Sequence, residues 1–368
     1  MPQSSSLPRR DLLLVHLTYG CSLDTWSKAG ILDRELRYLH DLAKTLGLSL
    51  GIISYGTTAD CQTDVEHEIW YRPRLLGKSL YSFLWPIIHH DAMRRAQVVR
   101  SNQAKGSWVA LVLRPLRMVR MWSGVIAFRS GYRWCSLSRR LGNRWWRVIQ
   151  VLESLSIWAS DIAYSASRAE VEEYKSGLGG IAKKVQVVPN WVYEDVATRN
   201  WDSSDGIVLS IGRPVSQKRP DLFMAVARLL PQFKFVWVGA KEGDSGFSSL
   251  PTNVVLKPRL PHSDVLLECS RADVYLALSD FEGMPKALIE AAIGGCIAIG
   301  RNSPGVRDVL ESIEGLVCDE APTEIAECIH RVISDAEHRR ERAQRISTLA
   351  RANYGRSTVI QLERETLT

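Results

Sequence analysis

Short apolar runs alternate with helical patterns through both halves of this 368-residue chain. The runs are β-prone, whereas the segments between them carry apolar residues at three- and four-residue steps, as Leu32, Leu36 and Leu39 do. Such alternation is typical of βαβ units, which form parallel sheets covered by helices. A chain of this length can bury two cores. The pattern therefore predicts an α/β protein with two Rossmann-like, doubly wound domains.

The same patterns predict the element boundaries. In the first half we expect strands near 11–17, 49–54, 97–100, 123–128, 161–165 and 185–188, with helices near 27–46, 143–159 and 167–176. In the second half we expect strands near 207–212, 234–239, 254–257, 274–278, 296–300 and 315–318, with helices near 219–230, 263–271, 285–294, 304–310 and 322–337. The predicted domains are 1–190 and 205–340, joined by a polar linker at 191–204, and a helical tail begins near 339.

Composition narrows the class of protein. Seven cysteines are scattered without a C-x-x-C pair, which is typical of reduced thiols and not of a disulfide framework or a zinc site. No apolar run approaches the roughly 20 residues that cross a bilayer. Arg9 and Arg10 precede a short apolar run, but Thr18-Tyr19-Gly20 ends that run like a turn after a strand. We therefore predict a first strand, no export signal and a cytoplasmic location.

The net charge of +7 is concentrated in one segment. Between Asp91 and Glu153 there are 13 lysine and arginine residues, no acidic residue and five tryptophans, at 108, 122, 134, 145 and 146. Arginine beside tryptophan suits the layer where anionic head groups meet acyl chains. Nucleic acid would attract the same charge, but no nucleic-acid-binding motif accompanies it. We expect an anionic membrane surface as partner, on the inner face of the cell membrane; a solvated basic face over core tryptophans is the alternative.

Two carboxylates flank a predicted helix start in the second half. Glu282 lies in the loop after the apolar run 274–278, and Glu290 lies eight residues later, inside the helix. Pro285 suits the first helical position, because its missing N–H would have no helical partner there. The backbone N–H groups of Met284, Lys286 and Ala287, next to Gly283, would then point towards an anion such as a diphosphate. A loop glutamate and a solvated helix glutamate are the alternative interpretation.

A second cluster of candidate residues follows an earlier strand. After the run 207–211, Gly212 permits a close backbone approach to a ligand, Arg213 comes next, and Lys218 follows before Pro220. Arginine can grip phosphate oxygens with two hydrogen bonds, and lysine adds a point charge. Ligands of doubly wound sheets bind at the carboxyl ends of the strands, where both clusters lie. A basic loop before a helix is the alternative.

These two motifs resemble the strand-Gly-Arg-x4-Lys and E-x7-E patterns of the family-four retaining glycosyltransferases. The resemblance covers about 200 to 350, and residues 20–35 more loosely resemble bacterial polysaccharide-assembly members. It implies the GT-B architecture, two Rossmann-like domains facing a cleft, with a helix at 341–368 that packs back on the N-terminal domain. It also implies a nucleotide-diphosphate sugar as donor substrate, no further cofactor, and a glycan or lipid-linked acceptor.

The resemblance implies roles for single residues. Glu290 would bind the ribose hydroxyls and Glu282 the transferred sugar, while Arg213 and Lys218 would stabilise the leaving diphosphate. Gly20, after the first strand, would belong to the donor site. One departure stands out: where relatives commonly carry a histidine after an N-terminal strand, this chain has Arg129. Arg129 is then a candidate for a phosphate contact, with His16, His89 and His90 as the other N-terminal candidates besides His40 and His67.

Missing motifs exclude other chemistries. No two aspartates stand two residues apart, so the D-x-D metal motif of the other main glycosyltransferase fold is missing. A phosphate-binding G-x-x-x-x-G-K-[ST] loop is missing too. These absences favour a metal-free diphosphate site, and together with the hexosyltransferase class that the resemblance implies they predict a metal-independent enzyme. A nucleotide-sugar 2-epimerase and a catalytically silent scaffold with the same fold are the alternatives.

Overall fold

The computed structural model describes residues 10–58, 63–194, 196, 198–199, 201, 204–247 and 249–368. The chain divides into two compact units. The first comprises Met1–Ala166, Glu170–Val188 and Ile360–Thr368, and the second comprises Ser167–Ala169 and Pro189–Val359. Each unit is built around one parallel sheet.

The first unit contains a seven-stranded sheet of order β3-β2-β1-β4-β5-β6-β7. Its strands are β1 (Leu12–His16), β2 (Ser49–Ser54), β3 (Glu68–Tyr71), β4 (Ala96–Ser101), β5 (Val125–Ser130), β6 (Ile162–Ser165) and β7 (Val185–Val187). Its helices are α1 (Leu23–Lys28), α2 (Leu32–Thr45), α3 (Lys78–Ile88), α4 (His90–Arg95), α5 (Ala110–Met118), α6 (Trp134–Arg140), α7 (Trp146–Ala159) and α8 (Arg168–Leu178). All five residues of β1 are buried, as expected of a central strand covered on both faces.

The second unit contains a six-stranded sheet of order β10-β9-β8-β11-β12-β13. Its strands are β8 (Ile207–Ile211), β9 (Lys234–Val238), β10 (Val254–Lys257), β11 (Val274–Ala277), β12 (Ile297–Arg301) and β13 (Leu316–Cys318). Its helices are α9 (Pro220–Leu229), α10 (His262–Arg271), α11 (Lys286–Ile293), α12 (Val306–Ser312), α13 (Pro322–Ser334) and α14 (Ala336–Tyr354), followed by α15 (Arg356–Leu367). The predicted tail is thus two helices, and the end of α15 belongs to the first unit.

Several predicted elements of the first half were wrong. The single helix at 27–46 is two helices, α1 and α2, because Gly30 between them has a φ of 67° that no helix contains. Helices α3 and α5 were missed because each contains a proline, Pro86 or Pro115, which usually ends a helix. Strand β3 was missed because its apolar run, Ile69–Tyr71, is only three residues long and lies between charged residues; all four residues of the strand are half-buried.

Candidate functional site

Two loops meet where the strand order of the second sheet changes direction. Strands β8 and β11 are neighbours in the sheet. After β8 the chain continues to β9 on one side, and after β11 it continues to β12 on the other side, so the strand order reverses between β8 and β11. A crevice at the carboxyl ends of such strands is where doubly wound sheets bind ligands. The loop after β8 carries Gly212, Arg213 and Lys218, and the loop after β11 carries Glu282 and Gly283.

One backbone and one side-chain hydrogen bond join the two loops. The Asp280 N–H donates to the Gln217 carbonyl at 2.8 Å, and the Gln217 side-chain amide donates to the Phe281 carbonyl at 2.8 Å. Residues 213–219 and 280–285 therefore form one surface. The sequence motifs did not include Gln217, although its position beside Lys218 was the available signal.

An ion pair joins the two motifs across this surface. The Lys218 Nζ lies 2.5 Å from the Glu282 Oε1, and the side chains are 25% and 15% exposed. Because neither side chain is fully buried, a ligand can reach both charges. Gly212 lies beneath the lysine, since a Cβ built on this glycine would lie 3.1 Å from the Lys218 Cε. Arg213, on the same loop, is exposed to solvent.

Residues at and after the end of β12 contact the loop that carries Glu282 and fix its position. The Glu282 N–H donates to the Pro304 carbonyl at 3.0 Å. A Cβ built on Gly305, whose φ is 76°, would lie 2.2 Å from the Glu282 carbonyl oxygen, so no side chain fits there. Arg301, at the end of β12, donates to Asp280 at 2.5 Å. Sequence reasoning missed Arg301, whose contact with Asp280 spans 21 residues.

Helix α11 begins one residue later than predicted. Pro285 has an extended conformation, with φ −75° and ψ 97°, and is the N-cap; Lys286 is the first helical residue. The prediction of Pro285 at the first helical position was therefore wrong by one residue. The Pro285 carbonyl accepts from the Leu288 N–H at 3.1 Å, which closes the first turn. The N–H groups of Lys286 and Ala287 thus lie in the first turn, where a helix favours an anion.

The residues on either side of this helix start are anchored. The Asn190 side-chain amide donates to the Met284 carbonyl at 3.3 Å, and Met284 is buried. The Lys286 Nζ lies 4.7 Å from the ring centre of Trp191, a cation–π contact. This packing fixes the direction in which α11 starts.

Glu290 lies within α11 and is nearly buried. Its Oε1 lies 2.9 Å from the His262 Nε2, at the start of α10, and the two side chains are 7% and 35% exposed. The prediction of a solvated helix glutamate, kept as the alternative, is wrong for this position. His262 was not singled out in the sequence; its place after β10 at a helix start was the available signal.

Candidates in the first unit occupy different surroundings. Gly20 lies in the turn after β1. Arg129 is buried within β5, which extends two residues beyond its predicted end, and it donates to the Asn102 carbonyl at 3.3 Å. His16 ends β1 and stacks on Trp85 with ring centres 5.5 Å apart; burial lowers its pKa to about 3. A neutral, enclosed histidine fits the structural role that is usual for such a residue.

Within the described ranges, no three His, Cys, Asp or Glu side chains are grouped so that they could hold a metal ion. None of the helices in the described part of the chain combines the length and apolar character that crossing a bilayer requires. The six cysteines that the structure describes are free thiols.

Comparisons with known proteins identify the fold and give a family match for part of the second unit. Sucrose-phosphate synthase from Thermosynechococcus elongatus is similar over 97% of this chain and 99% of its own, with a TM-score of 0.73 and 16% identity. Anabaena HepE in complex with UDP is similar over the same shares, with a TM-score of 0.74 and 16% identity. The catalytic domain of starch synthase IV from Arabidopsis thaliana, bound to ADP and acarbose, is similar over 97% and 99%, with a TM-score of 0.69 and 13% identity. The chain has the GT-B fold.

A family profile matches most of the second unit. Residues 194–348 match the sequence profile described as glycosyl transferases group 1. This match covers both loops of the candidate site and confirms the resemblance seen in the motifs. No curated protein sequence matches the chain.

Proposed function

We propose that this chain transfers a sugar from a nucleotide-diphosphate sugar to a glycan or lipid-linked acceptor, with retention of configuration and without a metal ion. The observation that carries the proposal is the Lys218–Glu282 pair, which joins both motifs at the point where the strand order of the second sheet reverses. The group 1 match over residues 194–348 and the GT-B relatives that bind UDP or ADP support the same class of reaction.

The two charges of the pair suit the two ends of such a donor. In the free protein, Lys218 and Glu282 neutralise each other at 2.5 Å. A donor diphosphate would draw Lys218 away and leave the Glu282 carboxylate to accept hydrogen bonds from sugar hydroxyls. Arg213 would add a second cation, and the N–H groups of Lys286 and Ala287 would meet the diphosphate at the start of α11. Glu290 would accept from the ribose hydroxyls.

The proposed reaction needs no protein nucleophile. The bond between the anomeric carbon and the diphosphate oxygen breaks while the acceptor hydroxyl oxygen bonds to that carbon. The hydroxyl proton passes to a phosphate oxygen of the leaving diphosphate. Lys218 and Arg213 stabilise the negative charge that develops on this leaving group, and stabilisation of this kind is often the largest catalytic contribution.

The proposed surroundings are the cytoplasm and the inner face of the cell membrane, where a lipid-linked acceptor is presented. The rival functions are a 2-epimerase and a silent scaffold. An epimerase would convert one nucleotide-sugar into another without an acceptor. A scaffold would bind the donor without consuming it.

The test is turnover of a panel of nucleotide-sugars, followed by mass spectrometry, with slow donor hydrolysis as the readout when the acceptor is unknown. Lys218→Ala and Arg213→Ala should each lower the rate on the order of 10²-fold, because each removes a charge from the leaving group. Lys234→Ala, an exposed lysine at the amino end of β9, is the matched control and should keep the rate. Near-normal rates in both site variants would overturn the assignment.

A further inference from the structure

Helix α7, together with its N-cap Trp145, exposes a row of large apolar residues and buries two polar ones. Trp145, Val148, Val151, Leu155 and Trp158 are between 42% and 57% exposed. They recur at three- and four-residue steps, so they form one stripe along the helix; we call it the α7 stripe. Glu153 and Ser156, on the same helix, are 1% exposed. A helix that is covered by water has the opposite arrangement.

The buried side of α7 is fixed by hydrogen bonds and cannot simply rotate outwards. Glu153 accepts from the N–H groups of Trp134 and Cys135 at 2.7 and 3.1 Å, so its carboxylate caps the start of α6. Ile149 and Ile157 pack in the same interior. The outward direction of the α7 stripe is therefore a property of the folded unit.

The neighbouring helices α5 and α3 also expose apolar residues. Helix α5 packs against α7, and Met118, Val119 and Met121, at and just after its end, are 65% to 76% exposed. Helix α3 packs against α5 and exposes Leu80 and Ile87 by 53% and 59%. Isolated exposed apolar residues are ordinary, whereas grouped ones mark a binding surface.

Arginines lie at both ends of the α7 stripe. The Arg144 guanidinium is 5.4 Å from the ring centre of Trp145, and the Arg114 guanidinium is 4.5 Å from that of Trp158. Arg147, near the Arg144 end, is exposed, and its guanidinium is 5.0 Å from the ring centre of Trp146. Between Asp91 and Asp161, the only carboxylate in the sequence is the buried Glu153. The face is therefore apolar along its centre, cationic at its ends and free of exposed acids over that segment.

Only some of the tryptophans in the basic segment are exposed, whereas the membrane prediction treated all five as one surface. Trp108 and Trp122 are buried, so they belong to the core and not to a surface. Trp145 is exposed as predicted, and Trp158, beyond the predicted segment, is exposed too. The membrane hypothesis therefore depends on the α7 stripe and not on the whole tryptophan-rich segment.

We infer that the α7 stripe and the end of α5 lie in the head-group layer of an anionic bilayer, with α7 parallel to the surface. Amphipathic helices that bind this way bury aliphatic and tryptophan side chains while arginines reach the phosphates. A second copy of the chain is a poorer occupant, since it would oppose arginine with arginine. Nucleic acid is poorer still, because it does not cover an aliphatic stripe. The inference rests on the proposed membrane partner and deepens it.

The test is flotation of the full-length chain with vesicles of phosphatidylcholine alone and of phosphatidylcholine with phosphatidylglycerol, at low and high salt. No sugar donor is present, so its failure is separate from a failure of the transferase assignment. The wild type should float with the anionic vesicles at low salt and much less at high salt. Failure to float with anionic vesicles at low salt would overturn the inference.

Matched variants locate the surface. Arg144→Gln with Arg147→Gln should lower partitioning about 30-fold, at about 5-fold for each basic residue lost near an anionic surface. Val148→Ser with Val151→Ser should lower it about 10-fold through lost apolar burial. The controls are Leu229→Ser with Leu267→Ser, 47% and 46% exposed in the second unit, and Lys234→Gln with Arg340→Gln. Equal losses of vesicle binding in the site and control variants would overturn the inference. So would a wild type that does not bind vesicles but forms concentration-dependent dimers that Val151→Ser abolishes.

Discussion

Each unit contains an ion pair of the same chemistry in opposite surroundings. In the second unit, Lys218 and Glu282 lie 2.5 Å apart with side chains 25% and 15% exposed. In the first unit, Arg100 and Glu363 lie 2.6 Å apart with both side chains 1% exposed. A partly exposed pair can exchange its partner for a charged ligand, whereas an enclosed pair cannot. Exposure, and not the presence of opposite charges, therefore separates a candidate binding pair from a structural one.

The enclosed pair is closed by additional hydrogen bonds. Glu363 accepts from the Tyr164 hydroxyl at 2.5 Å and from the Tyr38 hydroxyl, while Arg100 donates to Glu363 and to the Tyr164 oxygen. Removal of one partner of a buried pair leaves an uncompensated charge, which is far more costly than the net value of the intact pair. This pair fastens the end of α15 into the first unit.

The largest effect is expected at Glu363. Glu363→Gln should lower the free energy of unfolding by about 3–5 kcal/mol, because Arg100 would remain buried without its counter-charge. Glu365→Gln, two residues away and exposed, should change it by less than about 0.5 kcal/mol. Urea denaturation followed by circular dichroism measures both. A loss at Glu363 no larger than at Glu365 would remove the distinction between the two pairs.

The pH dependence of this difference has a defined sign. Burial opposes ionisation of Glu363 most strongly, but Arg100, Arg129 and the two tyrosine hydroxyls together lower its pKa below the ordinary value of 4.5. A carboxyl group whose pKa is lower when folded stabilises the fold above its unfolded pKa and loses that contribution as the pH falls through the folded pKa. The difference in free energy of unfolding between the wild type and Glu363→Gln should therefore be largest at neutral pH and should decrease below about pH 4.5.

The next largest effect, a loss of turnover, is expected at Gly305, which packs against the backbone of Glu282. Gly305→Ala would place a Cβ 2.2 Å from the Glu282 carbonyl oxygen, so the loop must move. A shift of about 1 Å in a positioning loop can lower turnover about 100-fold. Gly243→Ala is the matched control, since Gly243 also has a positive φ, 87°, but no atom lies within 4 Å of its built Cβ. Equal turnover of donor by the two variants would show that the position of Glu282 does not matter.

Much of the second unit follows from its sequence. All six strands begin or end within about two residues of the predicted limits, because buried parallel strands appear as continuous apolar runs. The two motifs also predict that Lys218 and Glu282 lie at neighbouring strand ends. The predicted start of α11 is wrong by one residue. Proline is compatible with both the N-cap and the first helical position, so the residue type does not distinguish the two.

The first unit follows less well, and the reasons are physical. Pro86 and Pro115 lie within helices because packing against the core outweighs the loss of a backbone hydrogen bond. Glu363 and Arg100 are 263 residues apart, so no local pattern indicates their contact. The α7 stripe has ordinary helical spacing, and the sequence alone does not say whether such a stripe faces the core or the solvent.

The smallest effect concerns the different roles of Glu282, the carboxylate of the exposed pair, and Glu290 in α11. Glu290→Gln should weaken binding of the bare nucleotide diphosphate about 10-fold, the cost of one charge-assisted hydrogen bond to a ribose hydroxyl. Glu282→Gln should not weaken binding of the bare nucleotide diphosphate, because Lys218 then has no ion pair to break before it contacts the diphosphate. This variant should weaken binding of the intact nucleotide-sugar only. His262→Ala controls for the 2.9 Å contact to Glu290 and should have less effect than Glu290→Gln. Isothermal titration with both ligands separates these cases, and equal losses for both ligands in both carboxylate variants would contradict the assignment.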